Sequence, residues 1–356
     1  MNDFYSTIDH IIKEELDNGH KIAIYPLGRI GLEAKNILEN RYGTTAVYVD
    51  NTICNYNSKV ISFAEFSKLE VEYVVLICVE NPELNRTLAN SIKKIEGVGH
   101  RVRSCLEANV VVCLEKEEQF RDIKSLCRVY KAIGHNLTRI GAEGDGGYVM
   151  LDDFNPTYRA YSFGIGNDIS WDEDILNRGI ATFCYDHTIE KLPKNGTGLL
   201  FHKFGINKDD NIEKKLLSMD TILINNNEKS NDLILKMDVE GAEWDFLDTV
   251  KEETLCRFRQ MTFEFHDMTD SENLLLHIRV FEKLNKYFLP VWIHANNARG
   301  VERAVKTEIP PLLEITYVRK ESYELIPIRY STPIEIDYPN VSTLWDIELK
   351  GWGASE

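Results

Sequence analysis

Several features that would tie a protein to a compartment or a partner are missing from this sequence of 356 residues. No apolar run approaches the length of about 20 residues that crosses a bilayer, and the opening segment MNDFYSTIDHIIKEEL has an acidic amphipathic pattern, unlike a signal peptide. The seven cysteines are scattered and include no CxxC pair, which favours reduced thiols over disulfides or structural zinc. We therefore expect a cytoplasmic protein with no membrane partner.

Positive charge is also scarce. The chain has 41 Lys and Arg against 57 Asp and Glu, a formal net charge of −16, and no basic stripe interrupts this acidic background. Because a surface of this sign repels a phosphate backbone, we expect no nucleic-acid partner. The apolar fraction of 43% provides enough core for two domains, the number that suits this length.

The first hundred residues alternate short apolar strands with helical patterns, and the spacing is that of a parallel sheet. Gly28 and Gly31 match two glycines of the dinucleotide-binding fingerprint, and Asp50 matches its acidic residue. Pro26 replaces the first glycine, and its fixed φ does not allow the same tight turn. We predict a small Rossmann-like domain over 1–106 in which these glycines form a strand-to-helix turn, with dinucleotide binding as the alternative.

The rest of the chain predicts a connection and a larger domain. Residues 107–133 have helical periodicity without glycine or proline, so we predict a helical linker there. From residue 134 glycine becomes frequent, and apolar strand patterns alternate with helical ones. This alternation is typical of a doubly wound α/β sheet, so we predict a second domain over 134–356.

A glycine-containing turn follows the predicted strand in YSFGIG. Gly164 and Gly166 there let the backbone approach a ligand at a helix amino end. Twenty residues after Gly166, a strand ends at Asp186, whose carboxylate can accept hydrogen bonds from both hydroxyls of a ribose. Asp145 and Tyr148, in GDGGYV, predict a loop that folds over this ligand. Because the phosphate-binding motifs are absent, S-adenosyl-L-methionine is the candidate cofactor.

Polar side chains also end the next strands of the predicted sheet. In an open α/β sheet, ligands bind beyond the carboxyl ends of the strands, and side chains two residues apart on a strand share a face. We therefore predict that one rim gathers the following side chains: Asp238, Glu240, Glu264, His266, His294, Asn296 and Asn297.

The ordered motifs DGGYVM, YSFGIG, YDHT, LKMDVEGAEWDFL and FEFH resemble those of the FkbM-type methyltransferases, over roughly residues 134–320. These enzymes use S-adenosyl-L-methionine and usually act on hydroxyls of sugars and natural products. The resemblance implies a class I methyltransferase-like doubly wound sheet of seven mostly parallel strands. It also implies that Gly164, Gly166 and Asp186 lie where the family holds its cofactor, and we predict that Asp238 contacts the cofactor as well. The N-terminal half lies outside the likeness.

For methyl transfer to an oxygen, we predict that His266 is the general base, because the ordinary pKa of histidine is near neutrality. Asp238 or Glu240 would orient His266 or bind the acceptor. The other rim residues would also bind the acceptor. A second mechanism would hold a divalent metal ion between Asp238, His266 and His294. Glu314 interrupts an apolar strand and needs a partner, for which the acceptor and Arg319 are the two alternatives.

The predicted function is O-methyl transfer to a small-molecule or glycan acceptor, namely a carbohydrate, a sugar nucleotide or a related metabolite. One alternative is an NAD-dependent oxidoreductase or epimerase of nucleotide sugars that uses Gly28, Gly31 and Asp50. The other is a non-catalytic binding protein with a methyltransferase fold. For the N-terminal half, recognition of the acceptor, attachment of a partner and formation of a homodimer stay open.

Overall fold

The computed structural model describes residues 4–95, 98–107, 110–112, 116–193, 196–303 and 307–354. The chain forms two compact units, Met1–Val110 with Ser342–Trp345, and Val111–Val341 with Asp346–Glu356. None of the described helices combines the length and the apolarity that spanning a membrane requires.

The first unit contains a five-stranded parallel sheet. Its elements are α1 (Phe4–Asp17), β1 (Ile22–Tyr25), α2 (Arg29–Asn36), β2 (Val47–Val49), β3 (Val60–Ile61), α3 (Phe63–Phe66), β4 (Val74–Ile77), α4 (Pro82–Lys93) and β5 (Arg101–Ser104). The strand order is β3-β2-β1-β4-β5, and every pairing is parallel. Both β1 and β4 are buried along their whole length, as expected for strands with apolar side chains on both faces.

The residues of the N-terminal glycine turn are used by the fold itself. A Cβ atom on Gly31 would lie 2.2 Å from the carbonyl oxygen of Pro26, so this glycine lets α2 approach the turn closely. One carboxylate oxygen of Asp50 accepts a hydrogen bond from the backbone N–H of Leu27 at 3.1 Å. Its other oxygen accepts from the backbone N–H groups that follow β2. This arrangement favours the packing interpretation of the fingerprint over dinucleotide binding.

Residues 107–133, predicted as a helical linker, contain a helix flanked by strands. The segment has β6 (Val110–Val112), α5 (Glu117–Leu126) and β7 (Tyr130–Ala132), while residues 108–109 and 113–115 lie outside the described residues. Periodicity indicated the helix correctly at α5. The strand β7 depends on its antiparallel partner some 190 residues later, Leu325–Pro327, which local periodicity does not reveal.

The second unit contains a seven-stranded sheet covered by helices. Its further elements are β8 (Leu137–Ile140), β9 (Tyr148–Leu151), β10 (Arg159–Phe163), α6 (Ser170–Asn177), β11 (Ala181–Tyr185), β12 (Leu200–His202), β13 (Gly205–Ile206), β14 (Leu216–Leu217), α7 (Met219–Asn225), β15 (Leu233–Met237), α8 (Ala242–Thr249), α9 (Glu252–Leu255), β16 (Phe258–Phe265), α10 (Leu274–Tyr287), β17 (Phe288–Ala295), β18 (Val301–Arg303), β19 (Glu308–Ile309), β20 (Leu313–Arg319), β21 (Leu325–Pro327), β22 (Ser331–Thr332) and β23 (Leu349–Lys350).

The large sheet has the order β12-β11-β10-β15-β16-β20-β17. Its strands are parallel except β20, which runs antiparallel to both of its neighbours. The predicted α/β class with a methyltransferase-like doubly wound sheet is confirmed. Strand β15 is buried throughout, because side chains on both of its faces are covered. The residues that follow these central strands are therefore held on a rigid base.

Candidate functional site

A cleft of about 660 Å³ lies beyond the carboxyl ends of β10, β11 and β15. Strand order reverses between β10 and β15, since the chain runs outward from β10 to β11 and β12 and then returns to β15 on the other side. Open α/β sheets bind ligands at such a switch point, because the loops from the two directions separate there. The fold thus places a ligand-sized cleft where the sequence predicted one.

The turn after β10 forms one wall of this cleft. Gly164 has a φ of +75°, and a Cβ atom there would lie 1.5 Å from the carbonyl oxygen of Asp238, at the end of β15. Only glycine satisfies both the left-handed backbone and this close approach. Gly166 also has a positive φ, of +51°, but a Cβ atom there would meet no atom within 4 Å. Gly164 therefore lets the ends of β10 and β15 pack closely together, whereas Gly166 borders open space.

Asp186 holds the same turn in place. Its Oδ2 accepts hydrogen bonds from the backbone N–H groups of Ile165 and Gly166, both at 3.0 Å. Its Oδ1 accepts from the backbone N–H and the hydroxyl of Thr188, both at 2.7 Å. Burial opposes ionisation, but the hydrogen bonds from Thr188 and from the glycine turn outweigh it and lower the pKa of Asp186. The carboxylate predicted to bind ribose is thus ionised and positions the glycine turn.

Negative charge dominates the cleft. Among its described lining residues, one ammonium group, that of Lys236, stands against six carboxylates. Lys236 donates to the carbonyl oxygen of Gly164 at 2.7 Å, so it supports the turn from below. Such a lining attracts a cationic ligand and repels a phosphate. The six carboxylates belong to Asp145, Asp168, Asp172, Asp186, Asp238 and Glu240.

Of the two residues predicted from the loop GDGGYV, Asp145 lines the cleft and Tyr148 does not. Asp145 and Gly146 line it, whereas Tyr148 is fully buried and donates a hydrogen bond from its hydroxyl to Asp238 Oδ2 at 3.2 Å. Burial and the charge of Asp238 raise the pKa of Tyr148 well above its ordinary value, so it acts as a neutral donor. Tyr148 therefore orients Asp238 and does not itself line the cleft.

His266, directly after β16, is buried and held by the carboxylate of Glu243. Glu243 Oε1 lies 2.7 Å from the backbone nitrogen of His266 and 3.1 Å from its Nδ1, and both nitrogens donate to it. Glu243 Oε2 accepts from the backbone N–H of Gly241 at 2.9 Å. The ring Nε2 lies 3.4 Å from Glu240 Oε2 and 3.8 Å from Asp238 Oδ1. Glu243 thus fixes the ring with Nε2 towards the predicted rim.

The expectation that His266 titrates near neutrality does not hold in this environment. Burial by itself would lower the pKa of His266, but the hydrogen bond to Glu243 and the charges of Glu243, Glu264 and Asp238 raise it to about 9. In the free protein, His266 is therefore an imidazolium at neutral pH. A base at this position becomes available only when the pH rises or when another positive charge enters the cleft.

Glu264 approaches the rim carboxylates without a cationic hydrogen-bond partner among the described residues. It accepts a hydrogen bond from Asn296 Nδ2 at 2.8 Å and is buried. Burial, followed by the charges of Asp238 and Glu314, raises the pKa of Glu264 well above its ordinary value. Ligand atoms of Asp238, Glu264 and His266 lie within 4.8 Å of one another, a spacing that a metal ion could occupy. Glu264 thus joins Asp238 and His266 in this cluster.

His294 is not part of that cluster, so the predicted metal set of Asp238, His266 and His294 is corrected. Its Nδ1 lies 2.9 Å from Glu314 Oε2, and its Nε2 lies 2.9 Å from Asp346 Oδ1. Burial would lower the pKa of His294, but the hydrogen bonds to Asp346 and Glu314 raise it to about 10. A protonated ring with both nitrogens occupied has no lone pair for a metal.

The same contacts rule out one of the two alternatives for Glu314, the pair with Arg319. It pairs with His294 and accepts from Asn340 Nδ2 at 2.6 Å, whereas Arg319 donates to Asp232 at 2.7 Å. Glu314 is therefore a structural partner of His294 and does not pair with Arg319. Neither Asp346 nor Asn340 carried a sequence signal, because both follow the sheet in an irregular segment.

The two predicted asparagines are also bonded within the protein. Asn297 accepts from the backbone N–H of Val341 at 2.7 Å and donates to its carbonyl oxygen at 3.1 Å. Asn296 accepts from the backbone N–H of Ala298 at 2.9 Å, besides donating to Glu264. Polar groups buried at a strand end need such partners, which explains the contacts. Among the predicted rim residues, Asp238 and Glu240 line the cleft.

A family model described as the methyltransferase FkbM domain matches residues 103–289, more than half of the chain. The match includes the glycine turn, Asp186, the DVEGAEW segment and His266, and it ends before His294. No curated protein matches the chain.

The glycine turn provides a first prediction. We expect Gly164→Ala to lower the free energy of unfolding by more than about 3 kcal/mol, because the added methyl group overlaps the Asp238 carbonyl and the φ is positive. Gly166→Ala is the matched control, since it meets only the strain of a left-handed alanine, about 1 to 2 kcal/mol. Urea denaturation of both variants measures the difference. Equal losses would contradict the contact between the two strand ends.

The His294 cluster provides a second prediction. Because the folded pKa of about 10 lies above the ordinary value of 6.5, the stabilisation from protonated His294 is complete below about pH 6.5. It is lost as the pH rises through about 10. We expect the melting temperature to fall between pH 7 and pH 10, and to fall less in His294→Gln. A pH dependence that His294→Gln leaves unchanged would show that His294 is neutral in the folded protein.

Proposed function

Because the chain belongs to the FkbM methyltransferase family, we propose that it transfers a methyl group from S-adenosyl-L-methionine to a hydroxyl of a carbohydrate or related metabolite. Methyltransferase activity follows from the family. We propose two further points: that the methyl donor is S-adenosyl-L-methionine, and that the accepting atom is a hydroxyl oxygen.

The acidic lining of the cleft carries the proposal for the donor. S-adenosyl-L-methionine brings a positively charged sulfonium and an ammonium group and has no phosphate, so it suits a cleft with six carboxylates and one lysine. A nicotinamide dinucleotide would bring two phosphates into the same field. The alternative NAD site in the first unit is disfavoured as well, because Pro26 stands where its fingerprint requires the first glycine.

Asp186 would reach the ribose by exchanging a hydrogen bond. A carboxylate has about four acceptor positions, and the two N–H groups of the glycine turn and the two donors of Thr188 already occupy four. A ribose hydroxyl can replace the Thr188 hydroxyl without disturbing the backbone contacts. The glycine turn then lies against the adenosine while Asp186 still holds it.

For the transfer itself, we propose that His266 accepts the proton of the acceptor hydroxyl after the donor has bound. The sulfonium lowers the pKa of a nearby imidazolium, so binding of the donor moves His266 towards its neutral form. Glu243 keeps Nδ1–H engaged and leaves Nε2 as the proton acceptor. Asp238 and Glu240, next to Nε2, provide acceptors for hydroxyl groups of the substrate.

This mechanism uses no metal ion. The imidazolium of His266 already balances the carboxylates of Asp238 and Glu240 in the free protein, and a metal ligand must first lose that proton. Activity that is unchanged by EDTA agrees with this proposal. Activity that EDTA abolishes and Mg²⁺ or Mn²⁺ restores would replace it with a metal site at Asp238, Glu264 and His266.

Binding of the demethylated product, S-adenosylhomocysteine, tests the donor site. We expect Asp186→Asn to weaken this binding by about 10- to 100-fold, because a charge-assisted hydrogen bond contributes roughly 1.5 to 3 kcal/mol. Asp209→Asn, at an exposed acid, is the matched control and should bind like the wild type. Isothermal titration calorimetry measures both, with NAD as the rival ligand. Binding of NAD without S-adenosylhomocysteine would refute the proposal.

The protonation of His266 tests the mechanism. We expect an NMR titration to give His266 a pKa of about 9 in the free protein and a lower value with bound S-adenosyl-L-methionine. Above this pKa the ring is a base, so kcat/KM for the donor should rise with pH through about 9. Glu243→Gln should shift this rise to lower pH, because it removes the hydrogen bond and charge that raise the pKa.

A panel of monosaccharides and nucleotide sugars supplies the acceptors for these rates. His266→Gln should abolish the pH-dependent rise and lower kcat by about 10²- to 10⁴-fold. An unchanged pH profile in this variant would remove His266 from the mechanism. Tight binding of S-adenosylhomocysteine without methylation of any acceptor would instead favour a non-catalytic binding protein.

A further inference from the structure

A second groove of the same unit has the opposite charge. Its volume is about 820 Å³, and it is lined by residues from 121–128, 329–331 and 350–353. One carboxylate, that of Asp122, stands among the described lining residues. In a chain with a net charge of −16, this local reversal of sign needs a physical reason. The cationic lining residues are Arg121, Lys124, Arg128, Arg329 and Lys350.

Ordered elements build this groove. Arg121, Lys124 and Ser125 are three or four residues apart on α5, so their side chains share one face of the helix. Backbone pairing of Ser331 with Lys350, in β22 and β23, joins the other two segments. The cationic groups thus come from three parts of the chain and converge on one surface.

The positions of the two lysines are explained by partners within the protein. Lys124 Nζ donates to the carbonyl oxygen of Lys350 at 2.7 Å and lies 5.7 Å from the centre of the Trp352 ring. A cation in the last turn of a helix is also stabilised by the helix dipole. Lys350 Nζ pairs with Glu348 at 3.1 Å. These lysines add positive charge to the groove, but the fold explains their positions.

The three arginines are different. Within the described ranges of the chain, no carboxylate lies at ion-pair distance from Arg121, Arg128 or Arg329, and none of the three guanidinium groups has a hydrogen-bonded partner. Several other arginines of this acidic protein pair with carboxylates, as Arg259 does with Asp153 at 2.8 Å. With more acids than bases available, three unneutralised guanidinium groups around one groove indicate an anionic ligand.

We propose that this groove binds a ligand of about nucleotide size through a diphosphate group. Guanidinium groups donate pairs of parallel hydrogen bonds that match phosphate oxygens, and several such groups suit a multiply charged anion better than a single carboxylate. The hydroxyls of Ser125 and Ser331 supply further donors at the same surface. The volume lies within the range of small-molecule sites, about 300 to 1,000 Å³. The acidic cofactor cleft would reject the same group.

Charge reversal of two arginines tests the proposal. We expect the wild-type protein to bind inorganic diphosphate and uridine diphosphate saturably, with an affinity that decreases as salt is added. The double variant Arg128→Glu/Arg329→Glu should lose about tenfold or more in affinity for both probes. The matched control is Arg86→Glu/Lys93→Glu, which changes the net charge equally at exposed cations of α4 and should bind like the wild type. Calorimetry measures the affinities, and melting temperatures check folding.

A vesicle arm identifies the source of the phosphate. Sedimentation with vesicles that contain a polyprenyl diphosphate, lost in Arg128→Glu/Arg329→Glu, assigns the groove to a lipid-linked diphosphate, and binding of the soluble probes alone assigns it to a nucleotide-linked one. Absence of saturable diphosphate binding by the wild type, or equal binding by the groove variant and its control, overturns the proposal. Because the groove and the cofactor cleft share no described lining residue, this result does not depend on methyl-donor binding.

Discussion

Negative charge gathered at the carboxyl ends of neighbouring strands is the constraint on which the rest of the site depends. Carboxylates that lie close together in a poorly hydrated place stay ionised only when each meets a donor or a cation. Asp186 meets the backbone N–H groups of the glycine turn, and Glu243 meets His266. These contacts also fix the turn and the imidazole ring. The hydrogen bonds that neutralise the carboxylates therefore also position the side chains of the site.

The two histidines of the rim illustrate how the surroundings change the chemistry of a side chain. His266 and His294 are both raised above the ordinary pKa of histidine by carboxylates, but their geometry differs. His294 has a carboxylate on each ring nitrogen at 2.9 Å and is closed to further partners. His266 has a close partner only at Nδ1, while Nε2 has longer contacts to Glu240 and Asp238. Only the arrangement at His266 leaves a ring nitrogen, Nε2, that can exchange a proton with a ligand.

Sequence patterns predicted the strands of the second sheet well, because runs such as LILKM are apolar on both faces and end in polar residues. They also predicted that Asp186, Asp238 and His266 lie at one edge of the sheet, because the carboxyl ends of parallel strands lie at the same edge. The roles of the individual side chains could not be predicted in this way. His294 depends on Asp346, 52 residues later in an irregular segment, and a local pattern contains no information about such a contact.

The basic groove shows the same limit in a different form. No stretch of the sequence is a basic stripe, because the positive charges come from three separate segments: α5 and the residues after it, the residues before β22, and β23. Folding brings them together around one groove. The net charge of −16 therefore disfavours binding of an extended polyanion, which meets the field of the whole surface. It does not exclude binding of a compact anion, which responds to the local field within a few ångströms. Because the two sites have fields of opposite sign, one unit could hold the proposed cationic donor and the proposed phosphate-bearing ligand without either occupying the site of the other.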